Sequence, residues 1–338
     1  MKVAGLQTYI WSNKLKSLYM LLMFPILICV LAFGAVLITN SIGDKGSTIT
    51  TVVHNETVGI TDPNYVHPMT KTIISFPKFA PYILTVVGIW FVIALIFNKK
   101  IVIKLTDAVP LTRAENPRVY NIVENLCISR GLPVPQIYII NDKALNAFTS
   151  GLSPKSAIMG FTQGLLDTLD DKELEAVAAH EVAHIINYDT RLMLVSIVFV
   201  GMIGTIAEIL AALIRRAKLG KSKIFKRINK INGVDGLYIL FGLFILVTFI
   251  GLIAGNIIKA AISRKREFIA DAGSVELTKT AGPMISALNK IAVNPRIKAT
   301  ESRSVAEFFV FPRTRSDDSH PSLKKRVAAL NAIDQNNF

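Results

Sequence analysis

Asp170-Asp171-Lys172-Glu173-Leu174-Glu175-Ala176-Val177-Ala178-Ala179-His180-Glu181-Val182-Ala183-His184 is the stretch on which the reading of this chain turns. Asp170 is placed to cap a helix, and Glu173, three residues on, completes a capping box. Leu174, Val177, Ala178 and Ile185 trace an inward stripe at helical spacing. On such a helix His180 and His184, four residues apart, share a face, so both imidazoles can bind one metal ion. Glu181 then points beside the ion, where a base would stand.

Two histidines leave a catalytic zinc short of a ligand, because such sites usually combine three protein ligands with one open position. Of the three other histidines, His54 and His67 fall in a loop expected on the opposite side of a membrane. His320 remains a candidate. Glu267-Phe268-Ile269-Ala270-Asp271 is the stronger one, offering two carboxylates at i and i+4 of an expected helix. One can bind metal while the other accepts the free N–H of a ligating imidazole, a role that suits Asp271.

The membrane enters through composition. The 338 residues are 51% hydrophobic, with a mean hydropathy of +0.45, high for a soluble domain. Four apolar runs account for it, at about 18–39, 81–97, 192–214 and 237–262. Each approaches or exceeds the roughly 20 residues that cross a bilayer. The first two form a membrane hairpin within residues 1–98, and the loop between them, 40–80, carries balanced charge. Lys99, Lys100 and Lys104 follow the second run without a nearby acid, so the positive-inside rule puts residue 99 onward in the cytoplasm.

Net charge is +14, and its densest cluster lies in the loop at 215–232 between the third and fourth runs. Arg215, Arg216, Lys218, Lys221, Lys223, Lys226, Arg227 and Lys230 occur there without an acid. A polybasic segment of this kind, 215–230, is expected to meet anionic lipid. No nucleic-acid motif accompanies the charge. If runs three and four both cross, this loop lies outside, against the positive-inside rule. A long hairpin whose tip returns to the cytoplasmic surface removes the conflict. The two cysteines, Cys29 and Cys127, support neither a disulfide framework nor a thiolate site.

The remaining chain is globular. Residues 115–130 have helical periodicity, 135–140 alternate like a strand, and 147–149 and 157–159 read as two more strands. Helices are expected from about 263, over 281–291 and over 321–332. The expected order is thus a first globular half at 99–190, two hydrophobic helices within 191–262, and a second half at 263–338.

Several segments together resemble the HtpX-type membrane metalloproteases, a group that also includes the CAAX prenyl proteases. They are Ala144-Leu145-Asn146-Ala147-Phe148-Thr149-Ser150-Gly151, Gly164-Leu165-Leu166, residues 179–189, residues 263–273, and His320-Pro321 with Arg326 and Leu330. The resemblance covers almost the whole chain. It implies an α+β, mostly helical integral membrane protein whose zincin-like metalloprotease domain, a small β-sheet plus active-site helices, is split by two hydrophobic helices. It further implies one Zn2+ per chain on His180, His184 and Glu267, Glu181 as general base and Asp271 in support. Asn146, Ala147 and Phe148 would form the strand edge that pairs with an extended substrate, and His320 or Arg326 would stabilise the oxyanion.

The expected function is membrane-bound, zinc-dependent endopeptidase activity in the cytoplasmic membrane, with the site facing the cytoplasm. The resemblance suggests misfolded membrane proteins as substrates, in protein quality control. CAAX-type processing is the alternative within that class. A metal-binding membrane scaffold or transporter without proteolysis is the alternative outside it, and Glu181, a base beside the ligands, argues against that reading. Cleavage within the bilayer is disfavoured because the motif helix carries Asp170, Asp171, Lys172, Glu173 and Glu175.

Overall fold

A computed structural model of the protein describes residues 6–42, 48–53, 56–61, 65–218, 242, 245–247, 249, 264–294 and 321–336. In chain order the elements are α1 (Leu6–Ile42), β1 (Thr48–Val53), β2 (Glu56–Thr61), α2 (Pro68–Thr106), β3 (Val109–Pro110), α3 (Pro117–Ile128), β4 (Gln136–Ile140), β5 (Ala147–Ser150) and β6 (Ile158–Thr162). They continue with α4 (Gln163–Thr168), α5 (Asp171–Ile186), α6 (Asp189–Lys218), α7 (Arg264–Thr278), α8 (Gly282–Ile291) and α9 (Leu323–Asn336). Residues 1–20, 93–198 and 256–338 form one compact unit, and residues 21–92 and 199–255 form another.

In the first unit α5 starts where its capping box dictates. Asp170 accepts a hydrogen bond from the Glu173 N–H at 2.9 Å, and the Glu173 carboxylate accepts one from the Asp170 N–H at 2.9 Å. Twelve of its 16 residues are buried, so it needs partners on every side. Leu174, Val177, Ala178 and Val182 meet Val119, Val123 and Leu126 of α3, Met159 and Phe161 of β6, and Ala287 and Ile291 of α8. Burying each Leu, Ile or Val side chain in full contributes about 1.5–3 kcal/mol. Ala176 joins a second cluster with Val275, Met284, Leu288 and Leu330, which draws α7, α8 and α9 together.

The sheet of this unit has the order β3-β4-β6-β5, with β4 and β6 parallel and the other pairs antiparallel. β5 is therefore an edge strand. Phe148 pairs with Gly160 of β6, and its ring occupies the space that a Cβ at Gly160 would need, 2.0 Å away. Only glycine fits there.

The second unit contains the β1–β2 hairpin and the apolar parts of α1 and α2. Thr48 pairs with Thr61 and Val53 with Glu56 in an antiparallel register. Phe33 and Phe76 pack edge to face at 5.3 Å, and Asn40 donates to the Thr72 hydroxyl at 2.9 Å. α2 begins at Pro68, well before the apolar run expected from residue 81, and continues through Pro77 and Pro81. Interior prolines remove backbone donors, but membrane helices tolerate them where side chains and neighbours satisfy the freed groups. The Thr85 hydroxyl donates to the Pro81 carbonyl at 2.8 Å.

Among the described residues one helical stretch is long and apolar enough to cross a membrane, Pro68–Phe97, with a mean hydropathy of 2.4. Ile28–Leu37 is a shorter apolar stretch in α1. The run at 192–214 lies within α6. Most of the run at 237–262, the basic loop from residue 219 on, and His320 lie outside the described residues.

Candidate active site

The site forms where α5 crosses α7. The two helices approach so closely that a Cβ on Gly273 would lie 2.7 Å from the Ala183 Cβ. A glycine opposite an alanine lets the backbones meet, and Glu267 and Asp271, four apart on α7, then face His180 and His184. His180 Nε2 lies 3.2 Å from His184 Nε2. Glu267 supplies Oε2 at 3.7 Å from His180 Nε2 and Oε1 at 3.7 Å from His184 Nε2. One ligand atom from each of the three side chains lies within 4.8 Å of the others.

The outer nitrogens of both imidazoles face carboxylates. His180 Nδ1 is 3.0 Å from Asp271 Oδ1, and His184 Nδ1 is 2.9 Å from Asp189 Oδ2. A carboxylate accepts only, so His184 Nδ1, hydrogen-bonded to Asp189, carries the proton and its Nε2 is left with a lone pair. The two Nε2 atoms, 3.2 Å apart, and the Glu267 carboxylate thus converge on one point inside the fold. The donor set therefore fits a divalent metal of the type that imidazole and carboxylate bind.

The carboxylates are themselves held. Arg326 on α9 donates Nε to Asp271 Oδ2 at 2.8 Å and Nη2 to Asp271 Oδ1 at 2.6 Å, a two-pronged contact. Its Nη1 lies 3.7 Å from Glu267 Oε2. Burial raises the Asp271 carboxyl, and the adjoining guanidinium outweighs that effect and holds it below the usual carboxylate range. Glu181, 1% exposed, accepts from the Thr149 hydroxyl at 2.7 Å. Burial pushes its carboxyl up, against the pull of His184 and His180 beside it.

Asn146 immediately precedes edge strand β5, and Ala147 and Phe148 open it, next to the residue that holds Glu181. Their side chains and main chain are nearly covered, at 1%, 0% and 0% exposure. The Asn146 carboxamide oxygen accepts from the Ala147 N–H at 3.0 Å. Two residues absent from the sequence reading as site residues stand out here. Thr149 orients Glu181, and Asp189 fixes His184. Neither follows from helical spacing, since Thr149 arrives on a strand and Asp189 lies five residues beyond His184, past a Tyr188 with φ of 57°.

A buried helix carrying two histidines and an intervening glutamate, met by a glutamate from a later helix, defines a metallopeptidase centre. Residues 113–334 match Peptidase family M48, and the chain belongs to that family as a membrane metalloprotease. It is 36% identical to a Protease HtpX homolog of Bacteroides fragilis over 98% of this chain and 99% of that protein. It is 40% identical to a Protease HtpX homolog of Pediococcus pentosaceus over 69% of this chain and 79% of that protein. Among solved structures, Ste24p of S. mikatae is similar at 21% identity and a TM-score of 0.44, over 77% of this chain and 60% of that one.

Proposed function

We propose that the protein is a zinc endopeptidase of the cytoplasmic membrane that cuts misfolded membrane or membrane-near polypeptides, with its site facing the cytoplasm. The observation that carries the zinc assignment is the convergence of His180, His184 and Glu267 ligand atoms within 4.8 Å of one another, with the imidazole Nδ1 atoms facing Asp271 and Asp189. Their Nε2 atoms and Glu267 would hold the ion. Zinc, when bound, supplies Lewis acidity that brings the pKa of water to about 7 and polarises a scissile carbonyl.

The protein's own groups do the rest. Glu181 takes a proton from the attacking water and returns it to the leaving amine. Thr149 holds that carboxylate through its hydroxyl, 2.7 Å from Oε2, so the base is oriented before substrate arrives. Asp271 and Asp189 retain the imidazole N–H protons and keep both rings turned toward one point. Arg326 offsets the charge of Asp271 and Glu267 inside a buried site. Asn146 with Ala147 and Phe148 of β5 is the proposed partner of an extended substrate, through main-chain pairing. Basic residues 215–230 are proposed to meet anionic lipid, and His320 to assist at the oxyanion.

The ligand set is tested by Glu267→Ala. Zinc affinity, measured on the purified full chain by chelator competition, is expected to fall by more than about 100-fold, beyond the effect usual for outer partners. Wild-type affinity in this variant would rule the ligand set out.

A further inference from the structure

The first turns of α1 reach the turn that follows α5. Tyr9, Asn13, Ser17 and Met20 succeed one another at helical spacing along one face of α1. The Tyr9 hydroxyl donates to Asp189 Oδ1 at 2.9 Å. Asn13 Nδ2 lies 2.8 Å from the same oxygen and 3.0 Å from the Asn187 carbonyl. Lys14 sits 4.4 Å above the Tyr188 ring, and Met20 Sδ accepts from the Ser196 hydroxyl at 3.3 Å. The whole turn from α5 into α6 is thus gripped from one side.

The grip matters because of what Asp189 does with its other oxygen. Asp189 is 1% exposed, and its Oδ2 takes the Nδ1 proton of His184 at 2.9 Å. A buried carboxylate whose Oδ1 lost both donors would turn to recover them or leave an acceptor unpaired. Turning pulls Oδ2 away from Nδ1 and frees the His184 ring. Asn13 is 2% exposed, so water does not easily stand in for it. The local backbone also needs an external hold, since Tyr188 adopts φ of 57°, a left-handed conformation unfavourable for a bulky residue.

We propose that Tyr9 and Asn13 are positioning residues for the metal centre. Through Asp189 they set the orientation of His184, so the centre is complete only when α1 is seated. The proposal rests on the reading of His184 as a ligand. It makes the segment leading into the first apolar run part of the catalytic apparatus and not an anchor alone.

The experiment uses the full chain in detergent, with Tyr9→Phe, Asn13→Ala, the double variant, Asp189→Asn, and the exposed Lys16→Ala as control. Zinc affinity by chelator competition is the primary readout, and kcat and KM on a casein substrate are the second. The double variant is expected to bind zinc about 10–100-fold more weakly, with kcat reduced and KM unchanged, while Lys16→Ala matches the wild type. Since Tyr9 acts through Asp189, adding Tyr9→Phe to Asp189→Asn is expected to cost little more, whereas a purely structural contact would give additive losses. If the double variant loses stability as a metal-free protein, Tyr9→Phe alone decides, because it removes a single oxygen. Wild-type zinc affinity in Tyr9→Phe and in the double variant, or additive losses with Asp189→Asn, would overturn the proposal. If Glu267→Ala abolishes zinc binding while the α1 variants do not weaken it, only this proposal fails. If Glu267→Ala leaves zinc bound, the ligand assignment fails instead.

Discussion

At the scale of single residues, the centre is a chain of commitments that leaves two imidazole Nε2 atoms and one glutamate facing each other. The Arg326–Asp271 pair is its keystone, with both partners 1% exposed. Removing the guanidinium strands a buried carboxylate, so Arg326→Met is expected to lower the unfolding free energy by about 3–5 kcal/mol, measured by chemical denaturation in detergent. The double variant Arg326→Met with Asp271→Leu is expected to recover part of that stability, since Asp271 no longer leaves a buried charge while Glu267 still lacks the guanidinium. It should not recover zinc affinity, because His180 has lost its acceptor. The gathering of His180, His184 and Glu267 is legible in the sequence because the two histidines share a helix face and Glu267 heads a pair of carboxylates at i and i+4; the proposed roles of Glu181 and Asp271 follow from the same spacing. Thr149, Asp189, Tyr9 and Asn13 were not legible. Their roles depend on a strand edge, a left-handed turn and a distant helix, none of which leaves a periodic trace.

At the scale of elements, α5 was the most readable part of the chain. The Asp170–Glu173 capping box marks its start in the sequence and forms as expected. Glu173 does more than cap: it also accepts from Ser286 and from Lys290 at 2.6 Å each, tying α5 to α8. Burial raises its carboxyl, but the bonds from Lys290, Ser286 and the Asp170 N–H outweigh burial and hold it below the ordinary value. A depressed folded-state pKa stabilises above the unfolded value, about 4.3, and that contribution is lost as pH falls through the folded value. Glu173→Gln is therefore expected to cost about 1 kcal/mol at pH 7, with the difference from wild type shrinking below about pH 4 in denaturation curves taken across that range. The edges of α2 and the β1–β2 hairpin were harder to read. Pro77 and Pro81 mimic a loop in sequence, which hid the helix start at Pro68. The β-branched alternation of Thr48–Val53 was an available signal for the hairpin.

At the scale of the whole molecule, the donors come from distant parts of the sequence, His180 and His184 from α5 and Glu267 from α7. Hydropathy made the membrane association legible, and the local motif made the metal legible. Which side each part occupies is a matter of charge bias alone, and the proposed topology is open to labelling. Native Cys127 gives little background, since burial pushes its thiol up to about 11. In a Cys29→Ser background, Thr50→Cys is expected to react with an impermeant maleimide from outside intact cells. Lys172→Cys and Lys223→Cys are expected to react only after permeabilisation. Outside labelling at Lys172 would invert the proposed orientation, and outside labelling at Lys223 would exclude a cytoplasmic tip for the basic loop. The most direct test of the central claim is to purify the full chain as wild type and as Glu181→Gln, and to measure zinc content and casein cleavage on the same samples. The expected result is one zinc per chain in both, with cleavage in the variant reduced by about 10²–10⁴-fold. Full cleavage by Glu181→Gln with zinc bound would contradict the assignment of this glutamate as the base.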